Sequence, residues 1–435
     1  MTGFCICKTY MFPVVSSYMK QSQLFTKTRK EAPADEQAKN AELLIKAGFI
    51  HKEMAGVYSF LPLGLRVIKK IEEIIREEMN AIGGVETRTS VFQTKEVWEK
   101  SNRWSDDVVD NWFKTTLKNG TELGLSFTNE EAHSNIMKQY IHSYKDLPAY
   151  PYDFKNIFRN EIRSKSGILR GREFYWKALY SFSRDDAQHQ EFYEKAKQAY
   201  KNIFKRVGIG HLTYMTFASG GTFSQFSHEF QALTGAGEDT IYVDESKNIA
   251  VNQEVYTDDV LLTLGLKKDE LVEKRAIEVG NIFSLGTKFS TPFDLTYKNE
   301  TGEDVAVVMG SYGIGLGRLM GTIVEILSDE KGIIWPETVA PFRVHLLLLG
   351  DQEEVVTSAH DVYKKLTDAG VEVLFDDRIG FSAGEKFADA DLMGMPIRVV
   401  VSARSLKDGG VEVKKRTEEK GQIITVDELI QSLTS

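Results

Sequence analysis

The stretch that decides the fold runs Phe158-Arg159-Asn160-Glu161, passes through residues 162–169, and ends Arg170-Gly171-Arg172-Glu173-Phe174. Apolar-flanked runs, residues 149–161 and 173–182, bracket a loop that carries glycines and serines. Such a pattern predicts a β-hairpin. The connection is basic: Arg163, Lys165, Arg170 and Arg172 follow Arg159 closely. Guanidinium forks bind phosphate bidentately and never lose their charge, so this density of arginine suits a polyphosphate ligand. A solvated basic loop on a hairpin is the other reading.

A chain of 435 residues is long enough for two or three domains, each with its own core. The net charge of −9 means that a nucleic-acid partner must be met by a local basic surface. The two cysteines, Cys5 and Cys7, both stand at the start of the chain, which excludes a disulfide framework and a thiolate zinc site in the body. No apolar run is long enough to span a bilayer. Residues 1–18 are apolar and free of acids. They read either as a weak targeting segment or as a leader, disordered or not translated, with Met19 as the start.

Outward from the hairpin, residues 40–60 read as helical, with a turn at Gly56 and Pro62. Leu65, Ile68, Ile71, Ile75 and Met79 then keep helical spacing until Gly83-Gly84, ahead of an extended segment, residues 85–92. In Thr128-Asn129-Glu130-Glu131, Thr128 is a candidate N-cap with Glu131 three residues on. A hydroxyl and a carboxylate placed here also suit a ligand ammonium. Residues 184–207 form a charged amphipathic helix. A Gly/Ser-rich turn from Gly220 leads to His228-Glu229, where a histidine is either structural or chemical. Residues 249–274 read as an acidic surface excursion without clear strand patterning, and strand signals resume at 276–283 and 305–309.

Met309-Gly310-Ser311-Tyr312-Gly313-Ile314-Gly315-Leu316-Gly317-Arg318 then runs into an apolar helix. Its glycines let a strand end lie against a flat ligand, and Arg318 falls in a first helical turn that favours anions. A glycine-packed helix start is the plainer reading. The spacing is not that of a dinucleotide fold. Beyond residues 335–341 the pattern becomes strand–helix alternation, with continuous apolar runs at 343–349, 371–375 and 397–401. These predict a separate α/β domain with a covered parallel sheet. Asp376-Asp377-Arg378 and Glu385-Lys386-Phe387 fall in its strand-end loops, where such sheets bind ligands.

Phe158-Arg159-x-Glu161, the loop, Arg170-x-x-x-Phe174 and the Gly315-Leu316-Gly317-Arg318 helix start resemble motifs 2 and 3 of class II aminoacyl-tRNA synthetases. The surrounding text, from Met19-Lys20-Gln21-Ser22 through Thr128-Asn129-Glu130-Glu131, Ser227-His228-Glu229-Phe230-Gln231 and Gly286-Thr287-Lys288-Phe289, resembles bacterial prolyl-tRNA synthetases. The resemblance implies an α+β catalytic domain over residues 19–340, an antiparallel sheet flanked by helices. A smaller α/β anticodon-binding domain follows over residues 341–435. It implies a cytoplasmic homodimer, free of the membrane, that activates L-proline with ATP and Mg²⁺ and transfers it to tRNA(Pro). By position it implies Arg159, Glu161, Arg170, Phe174 and Arg318 as the ATP site, with Arg159 and Arg318 catalytic. Glu161 faces the adenine amino group and Phe174 stacks on the ring. Thr128, Glu130, Arg159, Trp176, His228 and Ser311 line the proline pocket. Asp377, Arg378 and Lys386 meet the anticodon, and residues 65–92 make the dimer contact. The Mg²⁺ ligands are not named by this reading.

The departures are specific. Only the 249–275 stretch stands where relatives carry an editing insertion, so hydrolysis of mischarged tRNA in cis is not expected. Ser90 stands at the motif 1 proline position. Trp176-Lys177-Ala178 stands where the family reads Met-Lys-Asp, which removes a carboxylate near the amino-acid pocket. Asn281 stands where a histidine is common, keeping hydrogen bonds but not a charge. A synthetase-like binding protein that has lost activation and a class II enzyme for another amino acid are the rival readings; the intact arginine set opposes the first, and the Thr128/Glu130 and His228/Glu229 text the second.

Overall fold

The computed structural model describes residues 18–162, 164, 166–219 and 226–434. The leader before Tyr18, Cys5 and Cys7, the loop cations Arg163 and Lys165, and most of the Gly/Ser-rich turn, residues 220–225, lie outside the described residues. The chain divides into two compact units: Arg29–Ser328, and Asp329–Ser435 together with the N-terminal segment to Thr28.

The first unit is built on a nine-stranded sheet. In chain order its strands are β1 (Val85–Thr87), β2 (Pro151–Phe158), β3 (Glu173–Ser183), β4 (Thr213–Ser219), β5 (Phe226–Leu233), β6 (Asp239–Asp244), β7 (Ile249–Asn252), β8 (Val272–Gly286) and β9 (Val308–Gly315). The spatial order is β5-β4-β7-β6-β8-β9-β3-β2-β1. The expected hairpin is present: β2 and β3 pair antiparallel from Tyr152↔Leu179 to Phe158↔Glu173. β8 is long enough to serve twice, pairing with β6 along its first part and with β5 and β9 farther on. Four helices matter for the site: α1 (Pro62–Ala81), α2 (Glu130–Met137), α3 (Asp186–Arg206) and α4 (Leu316–Ile326). α1 packs against α3 and α4, and α3 lies on β3, β8 and β9.

Alternation along the strands divides the sheet into two faces. Lys177 and Tyr312 turn toward α3, where the Lys177 ammonium reaches the Tyr200 hydroxyl. The residues between them form the opposite face, here called the floor: Trp176, Ala178 and Tyr180 of β3, and Ser311, Gly313 and Gly315 of β9.

Three local expectations change. The helix expected over 40–60 is Lys39–Lys46 only. Gly48, at φ +77°, ends it, and a hairpin of Ile50–Met54 with Val57–Phe60 follows. The excursion expected at 249–274 is shorter: Ile249–Asn252 is a strand of the main sheet, and β8 already begins at Val272. Thr128 is not a helix cap. Asn129 holds that place without a side-chain cap bond, and the Thr128 hydroxyl donates to Glu130 Oε2 at 2.5 Å.

In the second unit, Val344–Leu349 lies between Val373–Asp376 and Ile397–Ser402, both parallel to it, and Val411–Lys415 and Gln422–Ile424 continue the sheet antiparallel. Helices Glu353–Asp368 and Val426–Thr434 contribute to a core of Val344, Leu346, Leu366, Val373, Phe375 and Leu429. The boundaries expected at residues 19 and 340 differ from this division. Tyr18–Lys20 adds a sixth, parallel strand beside Val373–Phe375. Gln21 Oε1 lies 3.0 Å from buried His345 Nε2, and Thr28 donates to Asp389 at 2.6 Å. A three-residue strand carries almost no sequence signal of its own; the open sheet edge it covers is what fixes it.

Candidate functional site

The hairpin loop, β8 and the start of α4 enclose a cavity of about 240 Å³ lined by Arg159, Glu161, Arg170, Glu238, Glu278 and Arg318, among others. A second, narrow recess adjoins it, with Phe174, Trp176 and Gly315 beside Arg159 and Arg318. Arg159 and Arg318, far apart in sequence, therefore line both the cavity and the recess.

Arg159 leaves β2 at its C-terminal end, its backbone N–H tied to Arg172 O at 2.9 Å. Its guanidinium lies 5.1 Å from the Phe127 ring centroid, 5.4 Å from Phe174 and 5.7 Å from Trp176. Its Nε is buried without a hydrogen-bond partner. Burial, and secondarily Arg318, lower its pKa, so the site holds a cation that is under-compensated and poised for an anion. Arg318 is aimed by the backbone: Nε donates to Leu169 O at 2.9 Å, and Nη1 donates to Glu278 O at 3.0 Å and to Glu278 Oε2 at 3.1 Å. Arg170 donates to Glu161 Oε2 at 2.9 Å and to Glu238 Oε2 at 2.9 Å. Phe174 stands edge-on to Trp176 at 5.7 Å.

Next to Arg159, beyond Phe127, lies the second cluster. Glu130 Oε2 accepts from Thr128, and Glu130 Oε1 accepts from the Tyr180 hydroxyl at 3.3 Å. Arg103 sits 3.5 Å from Glu130 and 2.9 Å from Glu131, over the Trp98 and Phe289 rings. Burial raises the Glu131 pKa to about 7, against the pull of Arg103. Ser311 lies on the floor opposite Tyr180. Arg103, Tyr180, Glu238 and Glu278 escaped the sequence reading. Tyr180 was available from the alternation Phe174, Trp176, Ala178, Tyr180; the other three are brought in by tertiary packing alone.

His228 is not brought to this cluster. It pairs with Ile282 in register and turns to the helix side, where the Tyr193 hydroxyl lies 2.8 Å from Nδ1 and Phe217 packs at 4.6 Å. Burial lowers its pKa to about 4 and keeps it neutral. Glu229, one residue on, takes the floor instead and accepts from Gln231 Nε2 at 2.9 Å. Burial, with Glu278 nearby, pushes its pKa up to about 8. The folded state thus holds a proton that the unfolded chain releases. The resulting stability is full below about pH 4.5 and is lost as pH rises through about 8. Glu229→Gln is expected to remove this slope, with its largest relative gain in Tm near pH 8. Parallel Tm–pH curves for the two proteins would count against the buried acid.

In the second unit, Asp377 accepts from Ser22 N at 3.0 Å and from its hydroxyl at 2.7 Å. Arg378 forks onto Asp376 at 2.8 and 2.7 Å, reaches Asp389 at 2.8 Å, and stacks over Phe381 at 4.3 Å. Lys386 is 1% exposed and donates to Leu348 O at 2.7 Å and Asp376 O at 3.3 Å. Its ammonium is therefore committed inside the sheet, and helical spacing could not reveal that. Ile379 and Phe381 are the exposed apolar side chains of this loop.

Among the described residues, no three His, Cys, Asp or Glu side chains group so as to hold a metal ion, and no helix is long and apolar enough to cross a membrane.

Comparison with known proteins agrees with this geometry. Residues 113–327 match the tRNA synthetase class II core domain (G, H, P, S and T), and residues 339–435 match the anticodon binding domain. A proline–tRNA ligase of Caulobacter vibrioides is 36% identical over 96% of this chain and 99% of its own length. One from Hyphomonas neptunium is 37% identical over 95% and 99%. Among solved structures, prolyl-tRNA synthetase of Cryptosporidium parvum with L-proline and AMP superposes with a TM-score of 0.73 at 18% identity, covering 91% of this chain and 75% of that one. The Giardia lamblia enzyme with prolyl-adenylate gives 0.73 at 19%, covering 89% and 74%. With both domains matched and relatives 36% and 37% identical over nearly the whole chain, the chain belongs to the proline–tRNA ligase family of class II synthetases.

Proposed function

We propose that the chain condenses L-proline with ATP to prolyl-adenylate, releasing pyrophosphate, and passes the prolyl group to the 3′ end of tRNA(Pro), releasing AMP. The observation that carries this reading is the convergence of Arg159 and Arg318 on one cavity beside an aromatic recess. Attack of the proline carboxylate on the α-phosphate places negative charge on the phosphate oxygens. It needs positioning and charge stabilisation, not a covalent protein nucleophile. Arg159 meets the α-phosphate, with Phe174 against the adenine. Arg170 and Arg318 exchange their present carboxylates, Glu161, Glu238 and Glu278, for the outer phosphates. Glu161 is then released toward the adenine amino group. Thr128 and Glu130, backed by Tyr180, take the proline ammonium, with Trp176 and Ser311 beside the ring. Mg²⁺ would supply further charge neutralisation when bound with ATP.

Between Asn252 and Val272 the chain holds only short helical turns, too little for a hydrolytic domain. For tRNA, Phe381 and Ile379 replace Lys386 as the anticodon contacts, with Arg378 as the stacked cation behind them. Phe381→Ala is expected to raise the KM for tRNA(Pro) about tenfold, the scale of one lost base stack, while leaving amino-acid activation unchanged. A homodimer through β1 fits the exposure of Val85 at that edge of the sheet, and the reaction belongs in the cytoplasm. The decisive experiment is ATP–pyrophosphate exchange with each of the twenty amino acids. Proline alone should support it; exchange with another amino acid, or none, would overturn the reading.

A further inference from the structure

A row of residues crosses the floor at right angles to the strands. Glu229 of β5 pairs with Asn281 of β8, Asn281 with Gly313 of β9, Gly313 with Ala178 of β3, and Ala178 with Asp153 of β2. The row is small in the middle and carries a carboxyl group at each end, Glu229 on β5 and Asp153 on β2. Ala178 stands where the family motif quoted above reads an aspartate. Asp153, its cross-strand neighbour, is one strand spacing away and faces the same side.

Asp153 is fully buried. Its Oδ2 accepts from the Thr89 hydroxyl, while Oδ1 is buried without a partner. Lys155, two residues on, lies 3.9 Å away and spends its ammonium on Thr89 Oγ1 at 2.7 Å and Ser90 O at 3.1 Å. The carboxylate is thus held but only partly neutralised. Burial keeps the Tyr180 hydroxyl and the His133 imidazole uncharged, with Asp153 a lesser influence on both, and the two rings pack at 4.7 Å. Tyr180 in turn donates to Glu130.

We infer that Asp153 is a positioning residue for proline, supplying from β2 the negative charge that the floor lacks at Ala178, behind the Tyr180–Glu130 pair. This rests on the proline pocket proposed above. The arrangement also accounts for alanine at 178: two carboxylates directly opposite across an antiparallel pair repel.

The test is a four-cornered set, wild type, Asp153→Asn, Ala178→Asp and the double variant, read by the KM for proline and for ATP in pyrophosphate exchange. Asp153→Asn is expected to raise the KM for proline about tenfold, the scale of a lost contact to a charged group, with the KM for ATP unchanged. Ala178→Asp alone also impairs proline use, by repulsion. The double variant, which moves the charge by one strand, recovers proline use relative to both single changes. If Asp153→Asn fails to fold, the comparison of Ala178→Asp with the double variant still decides. A double variant no better than Ala178→Asp, or equal rises in both KM values, overturns the proposal. Glu130→Gln separates the two layers. A raised KM for proline there, with Asp153→Asn unchanged, ends the role of Asp153 alone. An unchanged KM in Glu130→Gln ends the pocket assignment itself.

Discussion

Replacing Arg159 with alanine is expected to cut proline-dependent ATP–pyrophosphate exchange by at least ~100-fold, the scale of losing one preorganised transition-state donor. The size of the effect follows from the surroundings. The guanidinium is sandwiched among Phe127, Phe174 and Trp176, and its Nε has no protein partner. Water is kept from one side of it, so the charge that develops on the α-phosphate meets a fixed cation in a poorly screened site. Arg318 cannot substitute, because its donors are aimed by Leu169 O and Glu278 from another wall of the cavity. Arg159→Lys should recover little, since an ammonium reaches one oxygen where the fork reaches two. The loss should fall on kcat, with a smaller change in the KM for proline. Exchange within a few-fold of wild type in a folded Arg159→Ala protein would remove this residue from the chemistry.

What sequence could reach here depended on how local the signal was. The β2–β3 hairpin is written in two apolar-flanked runs around a turn-rich loop, and the strand–helix alternation after residue 341 in continuous apolar runs between helical stretches; both appear where those signals placed them. Arg159, Phe174 and Arg318 could be named from short motifs, because each motif fixes its own backbone. Residues whose position is set by a second element were not accessible in that way. Arg103 stands in an unpatterned run before Trp104 and meets Glu130 only after α2 has packed. Lys386 sits on a helix whose spacing leaves its direction open, and only the strand ends above it show that the ammonium turns inward. His228 and Glu229 were one residue apart in a strand, and a choice between them is a choice of face; the pairing of His228 with Ile282 settles it. Tyr18–Lys20 is a strand only because a parallel edge needed covering.

Gly313→Ala adds a single methyl and is expected to cost proline activation heavily. A Cβ at this position would lie 2.2 Å from Trp176 Cζ2 and 2.9 Å from Asn281 Oδ1. Gly313 and Ala178 are paired across β9 and β3, and Trp176, two residues along β3 on the same face, lays its ring over that glycine. The indole is rigid and cannot yield at its far end, so it must tilt away from the floor. Its neighbours then move with it: Phe174 is edge-on to it, and the Arg159 guanidinium lies 5.7 Å from its ring. Overpacking of this kind costs about 1–3 kcal/mol of stability, which a domain of this size survives. The catalytic cost is larger, because displacing a clamp residue by about 1 Å can lower the rate ~100-fold. The expected result is a fall of that order in kcat/KM for proline, with a modest drop in Tm. Adding Trp176→Phe removes the clashing ring and should restore the Tm. It should not restore proline use, since the surface that covers the proline ring is then missing. Recovery of both by the double change would make Gly313 a packing residue with no part in shaping the pocket. Recovery of neither would place the strain in the β9–β3 backbone instead of the indole.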